Sequence, residues 1–252
     1  MKQTVFIGDI HGRTIWKKIV EDNPAAGRFV FIGDYFDSYD IPGIDQMRNF
    51  EDIIEFKKTT DKEVILLTGN HDIHYYPNIK DTNTSGFQRN LYQSISHLVY
   101  ENKSHLQMAY SFEDVLCTHA GVSEVFMNEV FGKYQWNMST IADDLNELFL
   151  HKPGTFLFHE NYFDPYGDDV FQTPIWIRPR SLMKASKEIR KVYKQIVGHT
   201  KVTSLDLISL EKWTGGKYFL IDTFDTSGEY LVREEDGTFN VKQTKDESNT
   251  QI

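Results

Sequence analysis

Asp9-Ile10-His11-Gly12, Gly33-Asp34-Tyr35-Phe36-Asp37 and Gly69-Asn70-His71-Asp72 decide how this chain reads, because each begins where a short apolar run ends. Residues 5–7, 29–32 and 64–67 are those runs, and a few apolar residues closed by a turn signal mark a buried strand. The three stretches are therefore expected on loops at one edge of a sheet, where carboxylates, imidazoles and an amide converge. In an open α/β sheet, ligands bind outside the carboxyl ends of the strands. A cation is expected there, since carboxylates this close would otherwise repel one another and raise their own pKa values.

Oxygen and nitrogen donors without a thiolate suit Mn, Fe or Zn better than a soft metal. With the motifs GDxHG, GDxxD and GNH followed by Asp, each after a strand, the chain resembles the calcineurin-like metallophosphoesterases. That resemblance runs over about residues 4–241 and implies an α/β fold: a four-layer α/β/β/α sandwich of two mixed β-sheets. It also implies two divalent metal ions (Mn, Fe or Zn). By motif, Asp9 and His11 resemble ligands of the first metal, Asp34 the bridging carboxylate, and Asn70, His119 and His199 ligands of the second. One carboxylate between two cations about 3.5–4 Å apart holds them as a clamp on the attacking and leaving oxygens, and a water bridging them is the expected nucleophile.

His71 resembles the histidine that protonates the leaving oxygen in the phosphoprotein phosphatase branch, with Asp37 as its partner. A carboxylate fixes an imidazole's tautomer and raises its pKa, which suits a general acid near neutral pH. In three places the chain departs from the family pattern. Ser38 and Tyr39 follow Asp37 where that branch continues with Arg-Gly, so one phosphate clamp is missing. Gly198-His199-Thr200-Lys201 lacks the second histidine of the diesterase pattern, which places the chain nearer the phosphoprotein phosphatase and diadenosine tetraphosphatase branch. Phe224 stands where that branch has a glycine after Asp222-Thr223. Arg178 falls between the two late histidines, where that branch places its other phosphate-binding arginine, with Arg180 the neighbouring candidate; a guanidinium matches two phosphate oxygens at once. Arg13 reads first as a surface residue at a helix start, with an approach to the site as the alternative. The remaining histidines, His74, His97, His105, His151 and His159, lack ligand spacing.

Around these motifs, Ile15, Trp16, Ile19 and Val20, and then Met47, Phe50, Ile53, Ile54 and Phe56, fall at helical spacing. Strands alternating with helices imply parallel pairing. Residues 87–102, 122–131, 140–150 and 186–193 read as further helices. Residues 106–111 and 114–117 read as two strands joined by a tight turn. The tail alternates strands at 205–210, 217–221, 229–232 and 239–241 with glycine-bearing turns, the pattern of an antiparallel meander. Between residues 152 and 180 the periodicity breaks among Pro, Gly and aromatics, which is read as an ordered cap. The expected organisation is one metallophosphoesterase domain over residues 1–244 with that cap inserted, and a polar tail at 245–252.

Two hundred and fifty-two residues with 14% aromatics supply enough apolar material for one substantial core, and no apolar stretch is long enough to span a bilayer. The start of the chain lacks a signal peptide's apolar region, and the single cysteine, Cys117, fits a reducing compartment, so a cytoplasmic location is expected. A net charge of −10 argues against a nucleic acid partner, whose phosphates call for Lys and Arg. The partner implied is a phosphorylated substrate, either a phosphoprotein or a small phosphoester or nucleotide. Function is therefore expected to be that of a binuclear metal-dependent phosphoesterase, first a phosphomonoester phosphatase of the serine/threonine protein type. The second reading is a dinucleoside polyphosphate hydrolase whose aromatic cap holds a base. A non-catalytic scaffold on the same fold is the third, and it would be expected to lose ligands that this chain retains.

Overall fold

The computed structural model describes residues 2–77, 79, 85–133, 135–160, 168–205 and 215–244. In chain order the elements are β1 (Thr4–Ile7), α1 (Ile15–Asp22), β2 (Arg28–Phe31), α2 (Gly43–Thr59), β3 (Glu63–Leu67), α3 (Asn70–Ile73), α4 (Tyr92–Asn102), β4 (Leu106–Gln107), β5 (Ala109–Phe112), β6 (Val115–Thr118), α5 (Glu124–Phe131), α6 (Ile141–His151), α7 (Pro179–Ala185), α8 (Ile189–Val192), β7 (Lys194–Lys201), β8 (Tyr218–Asp222), β9 (Glu229–Arg233) and β10 (Phe239–Gln243). Six strands form one sheet in the order β10-β9-β1-β2-β3-β4, and four form a second in the order β5-β6-β7-β8. Both sheets are mixed: β1 to β4 run parallel and β9 antiparallel to β1 and β10, while β5 is antiparallel and β7 and β8 parallel in the other.

Strand side chains alternate between faces, and in β1, β2, β3, β6 and β8 both faces are buried, which is why those strands read as continuous apolar runs. Phe6, Val30, Ile32, Ile65 and Leu67 of the first sheet meet Val115, Cys117, Ile196, Phe219 and Ile221 of the second in one core between the sheets. Their neighbours Val5, Ile7, Phe29, Phe31, Val64 and Leu66 turn the other way and pack under Trp16, Ile19, Phe50, Ile53 and Ile54 of α1 and α2. On the outer face of the second sheet, Leu182 of α7 covers Tyr218. The result is the α/β/β/α sandwich expected. Asn49 accepts a hydrogen bond from the indole of buried Trp16 at 2.9 Å, tying α1 to α2. Lys57 and Lys58 in the last turn of α2 complement its dipole.

Three expectations are corrected. The strand expected over residues 106–111 divides at Met108, with β4 in the six-stranded sheet and β5 in the other. Asn146 of α6 accepts from the amides of Met108 and Ala109, both at 2.9 Å, so a side chain satisfies the backbone where the chain crosses between sheets. The tail is not a meander: β8 pairs parallel with β7, and β9 leaves for the first sheet to pair with β1 and β10. Of the strand expected at 205–210, all but Leu205 lies outside the described residues. In the expected cap, Phe156 is fully buried against Phe126 and Phe149, and α7 starts at Pro179, whose fixed φ suits a first helical turn. The helix expected over 186–193 is reduced to α8. Residues 161–167 of the cap and the polar tail 245–252 lie outside the described residues. Among the described residues no helix is long and apolar enough to cross a membrane.

Candidate metal and catalytic site

The loops that follow β1, β2, β3 and β8, together with the end of β7, meet at one edge of the sandwich around a cavity of about 870 Å³. The first is laid against the second by backbone bonds, His11 N–H to the Asp34 carbonyl at 2.6 Å and Gly12 N–H to the Tyr35 carbonyl at 3.0 Å. Asp72, buried at the start of α3, accepts from the amides of Asp34 (2.8 Å), Tyr35 (2.7 Å) and Gly69 (2.8 Å), and so pins the second loop to the third. Burial, then the Asp34 carboxylate, pushes Asp72 up to about 7 despite these amides. Five non-glycine residues among those described have positive φ, and four belong to the site: His11 (40°), Asp34 (53°), Asp37 (66°) and His199 (62°). Such conformations cost about 1–3 kcal/mol each and persist only where the surroundings over-determine them.

Glycines in the motifs make room for carboxylates. A Cβ on Gly69 would lie 2.0 Å from Asp34 Oδ1, and one on Gly198 would lie 1.9 Å from Asp9 Oδ1. At His199 the pairing of β7 with β8 shifts register, and this bulge turns the imidazole inward while its amide donates to Asp9 Oδ2 at 3.0 Å.

Three imidazoles are oriented by backbone carbonyls. His11 Nδ1 donates to Phe36 (2.7 Å), His119 Nδ1 to Ile32 (3.0 Å) and His199 Nε2 to Trp176 (3.0 Å). The other nitrogen of each ring is left to face the oxygens: His119 Nε2 lies 2.8 Å from Asn70 Oδ1 and 3.3 Å from Asp34 Oδ2, His199 Nδ1 lies 2.8 Å from Asn70 Oδ1, and His11 Nε2 lies 3.7 Å from Asp34 Oδ2. Lone pairs facing oxygens is the arrangement a cation resolves, and a carbonyl behind each imidazole is the usual support of a metal-binding histidine. The donor set fits divalent metals. Two triads bring their donor atoms within 4.8 Å of one another, His11-Asp34-His71 and Asp9-Asp34-His119, and Asp34 belongs to both. Asp9 and His11, expected on one metal, each share a triad with Asp34.

Electrostatics agree with a site built for cations. Burial opposes ionisation of Asp34, but His119, His71 and His11 outweigh it and hold its carboxyl well below the usual range. Burial and then Asp222 push Asp9 well above it. Burial acts to lower His119, yet Asp34 and Asp9 raise it to about 10. His199 is held well below the ordinary imidazole value by burial and by Arg178.

His71 Nδ1 lies 3.0 Å from Asp37 Oδ2, and its ring is edge-on to His11 with centroids 5.1 Å apart. Burial acts to lower His71, but Asp34 and Asp37 raise it above the usual value. Tyr75, one helical turn beyond His71, donates its hydroxyl to the other oxygen of Asp37 and accepts from the Gln88 amide at 3.0 Å. Sequence reasoning missed Tyr75 and Asp72, although the four-residue spacing from His71 and the Asp that closes the GNH motif were visible. Asp222, at the end of β8, also lines the cavity, and burial and Asp34 push it up to about 6.

Arg178 lines the cavity and donates to the His199 carbonyl (2.9 Å) and Thr200 Oγ1 (3.1 Å). Arg180 is exposed in the first turn of α7 and is not among the lining residues. Arg13 follows its second reading, an approach to the site: it lines the cavity with its side chain only 16% exposed, because Asp225 pairs with it. Trp176 of the expected cap packs edge-on against His199 and Phe158.

The family model for calcineurin-like phosphoesterases matches residues 2–202. No curated protein matches the chain. Among solved structures it is similar to a mutant cold-active protein tyrosine phosphatase, with a TM-score of 0.63 and 17% identity over 96% of this chain and 81% of that one. The cold-active protein-tyrosine phosphatase of a psychrophilic Shewanella gives a TM-score of 0.58 at 17% identity over 96% and 81%. A protein serine/threonine phosphatase from Saccharomyces cerevisiae gives 0.55 at 13% identity over 98% and 82%. At these identities the likeness is one of fold.

Proposed function

Because the chain belongs to the calcineurin-like phosphoesterases, and is thereby a metal-dependent phosphoric ester hydrolase, we propose that it hydrolyses phosphomonoesters of the serine/threonine protein type. Asp9, His11 and Asp34 would hold one divalent metal, and Asp34, Asn70, His119 and His199 a second. When bound, such ions polarise phosphoryl oxygens and supply a nucleophile at neutral pH. Arg178 would grip the substrate phosphate beside Asn70.

The observation that carries this reading is the His71–Asp37 pair set beside the ligand cluster. A serine or threonine alkoxide is a poor leaving group and must be protonated as it departs. With Asp37 holding Nδ1, the Nε2 of His71 is left as the proton donor, and the Asp37 carboxylate favours the protonated imidazole. A phosphate leaving group, as in a dinucleoside polyphosphate, has less need of such an acid. The alternative nucleotide reading draws on Tyr39, 78% exposed, which lines the cavity with Phe224 and Trp176.

The test is a series of phosphate monoesters of rising leaving-group basicity, assayed with manganese on wild type and His71→Asn. The loss on substitution is expected to grow along the series and to reach about 10²–10⁴-fold for alkyl esters. An equal loss for every ester, with faster cleavage of a dinucleoside polyphosphate, would favour the nucleotide reading.

A further inference from the structure

At the open edge of the cavity, Asp225 is bracketed by two cations. Its Oδ1 pairs with Arg13 and its Oδ2 with Lys201, one oxygen to each. Arg13 also lies 3.5 Å from Asp40 and 3.4 Å from the carbonyl of His11. Three loops contribute: Arg13 follows β1, Lys201 ends β7, and Asp225 lies in the turn after β8. All three line the same cavity as Asp34 and His71.

The wall after β2 contributes no cation, since Ser38 turns its hydroxyl to Asp40 at 2.6 Å. Among the lining residues the cationic side chains are Arg13, Arg178 and Lys201, against the carboxylates of Asp9, Asp34, Asp37, Asp40, Asp222 and Asp225. A phosphate dianion entering here needs a guanidinium beyond Arg178. Arg13 is placed for it: its backbone is fixed by its amide's bond to the Ile10 carbonyl (2.8 Å) and by Asn49 (3.0 Å), while only its side chain reaches to Asp225. Asp40 is 70% exposed and its hold on Arg13 is weak, whereas Arg13 and Asp225 are 16% and 23% exposed, so the anion that takes the guanidinium from Asp225 must carry more charge than a carboxylate, as a phosphate dianion does.

We propose that Arg13 grips the substrate phosphate and that Asp225 holds the same guanidinium in the empty protein, as a stand-in anion that the phosphate displaces. This rests on the phosphomonoesterase reading. Arg13 would bind two phosphate oxygens at once, and Asp225, released, would remain with Lys201.

The two partners are then expected to shift phosphate affinity in opposite directions. KM for p-nitrophenyl phosphate and the inhibition constant of inorganic phosphate are measured on manganese-loaded wild type, Arg13→Ala, Asp225→Asn and the double variant. Arg13→Ala is expected to raise both constants about 10-fold, the loss of a charge-assisted pair of hydrogen bonds, with a smaller change in kcat. Asp225→Asn is expected to lower both roughly 2- to 5-fold, as removal of a partly exposed ion pair frees the arginine, and the double variant to lose most of that gain. If Arg13→Ala fails to fold, Arg13→Lys takes its place, with a smaller rise in both constants expected. A pair that merely braces the loops would move both single variants the same way, and that result, or no change, overturns the proposal. Should wild type not cleave the monoester, the functional reading fails separately. Calorimetric binding of inorganic phosphate to the same four proteins then decides, with the opposite shifts supporting the assignment and equal affinities overturning it.

Discussion

His71 Nδ1 and Asp37 Oδ2 lie 3.0 Å apart, although the two residues come from loops that follow different strands. Asp37 has positive φ and is buried, so its orientation is fixed by its surroundings. Asp37→Asn keeps the shape and removes the charge that favours a protonated His71. Steady-state kinetics on an alkyl phosphate are expected to show kcat lower by roughly 10²-fold, the size of a general-acid contribution, with KM little changed. A change confined to KM would mean that Asp37 serves binding.

Tyr75 gives the pair its third member. Tyr75→Phe deletes a hydroxyl that both donates to Asp37 and accepts from Gln88. Denaturant unfolding is expected to show a loss of about 1–3 kcal/mol, because a buried carboxylate oxygen and an amide lose their partner together. Unchanged stability would show that water replaces the phenol.

Gly198→Ala tests close packing behind the ligands. An added methyl would collide with Asp9 Oδ1. Weaker metal binding by about 10-fold or more is expected, as when a group supporting a ligand is disturbed. Calorimetric titration with manganese reads it directly, and wild-type affinity would show that the bulge at His199 can relax.

Far from the site, Glu63 accepts from the Tyr110 hydroxyl at 2.6 Å and pairs with Arg28 at 3.0 Å and Lys2 at 3.3 Å. Burial opposes its ionisation, but these partners together hold its pKa below the usual glutamate value. A carboxyl depressed in the folded state contributes stability above its unfolded pKa and loses that contribution as pH falls through its folded one. Melting temperature is therefore expected to fall from neutral pH into the acid range, and to fall less steeply in Glu63→Gln. Parallel curves for the two proteins would contradict this.

Much of the fold and of the site is legible in the amino-acid sequence itself. The loops of the candidate site can be found because β1, β2 and β3 are buried on both faces and end abruptly in Asp or Asn, and α1 and α2 because their apolar residues keep helical spacing. Strand partners are not legible in the tail, since a glycine turn looks the same in front of a hairpin as in front of a crossover, and Phe219 of β8 and Leu231 of β9 are buried in the same core although the strands pair with β7 and β1 in different sheets. Nor is the placement of Arg13, whose direction is set by Asp225 from the far end of the chain. Tyr75 reads as one more aromatic among its neighbours until Asp37 is seen beneath it.

Among the described residues Asp34 alone belongs to both candidate metal triads. The most direct measurement is metal content per chain after removal by chelator and reloading with manganese, for wild type and Asp34→Asn, followed by monoester hydrolysis. Two ions per wild-type chain are expected, with loss of both affinity and hydrolysis in Asp34→Asn. One ion per chain, or a variant that binds and hydrolyses as wild type does, would contradict the two-metal reading.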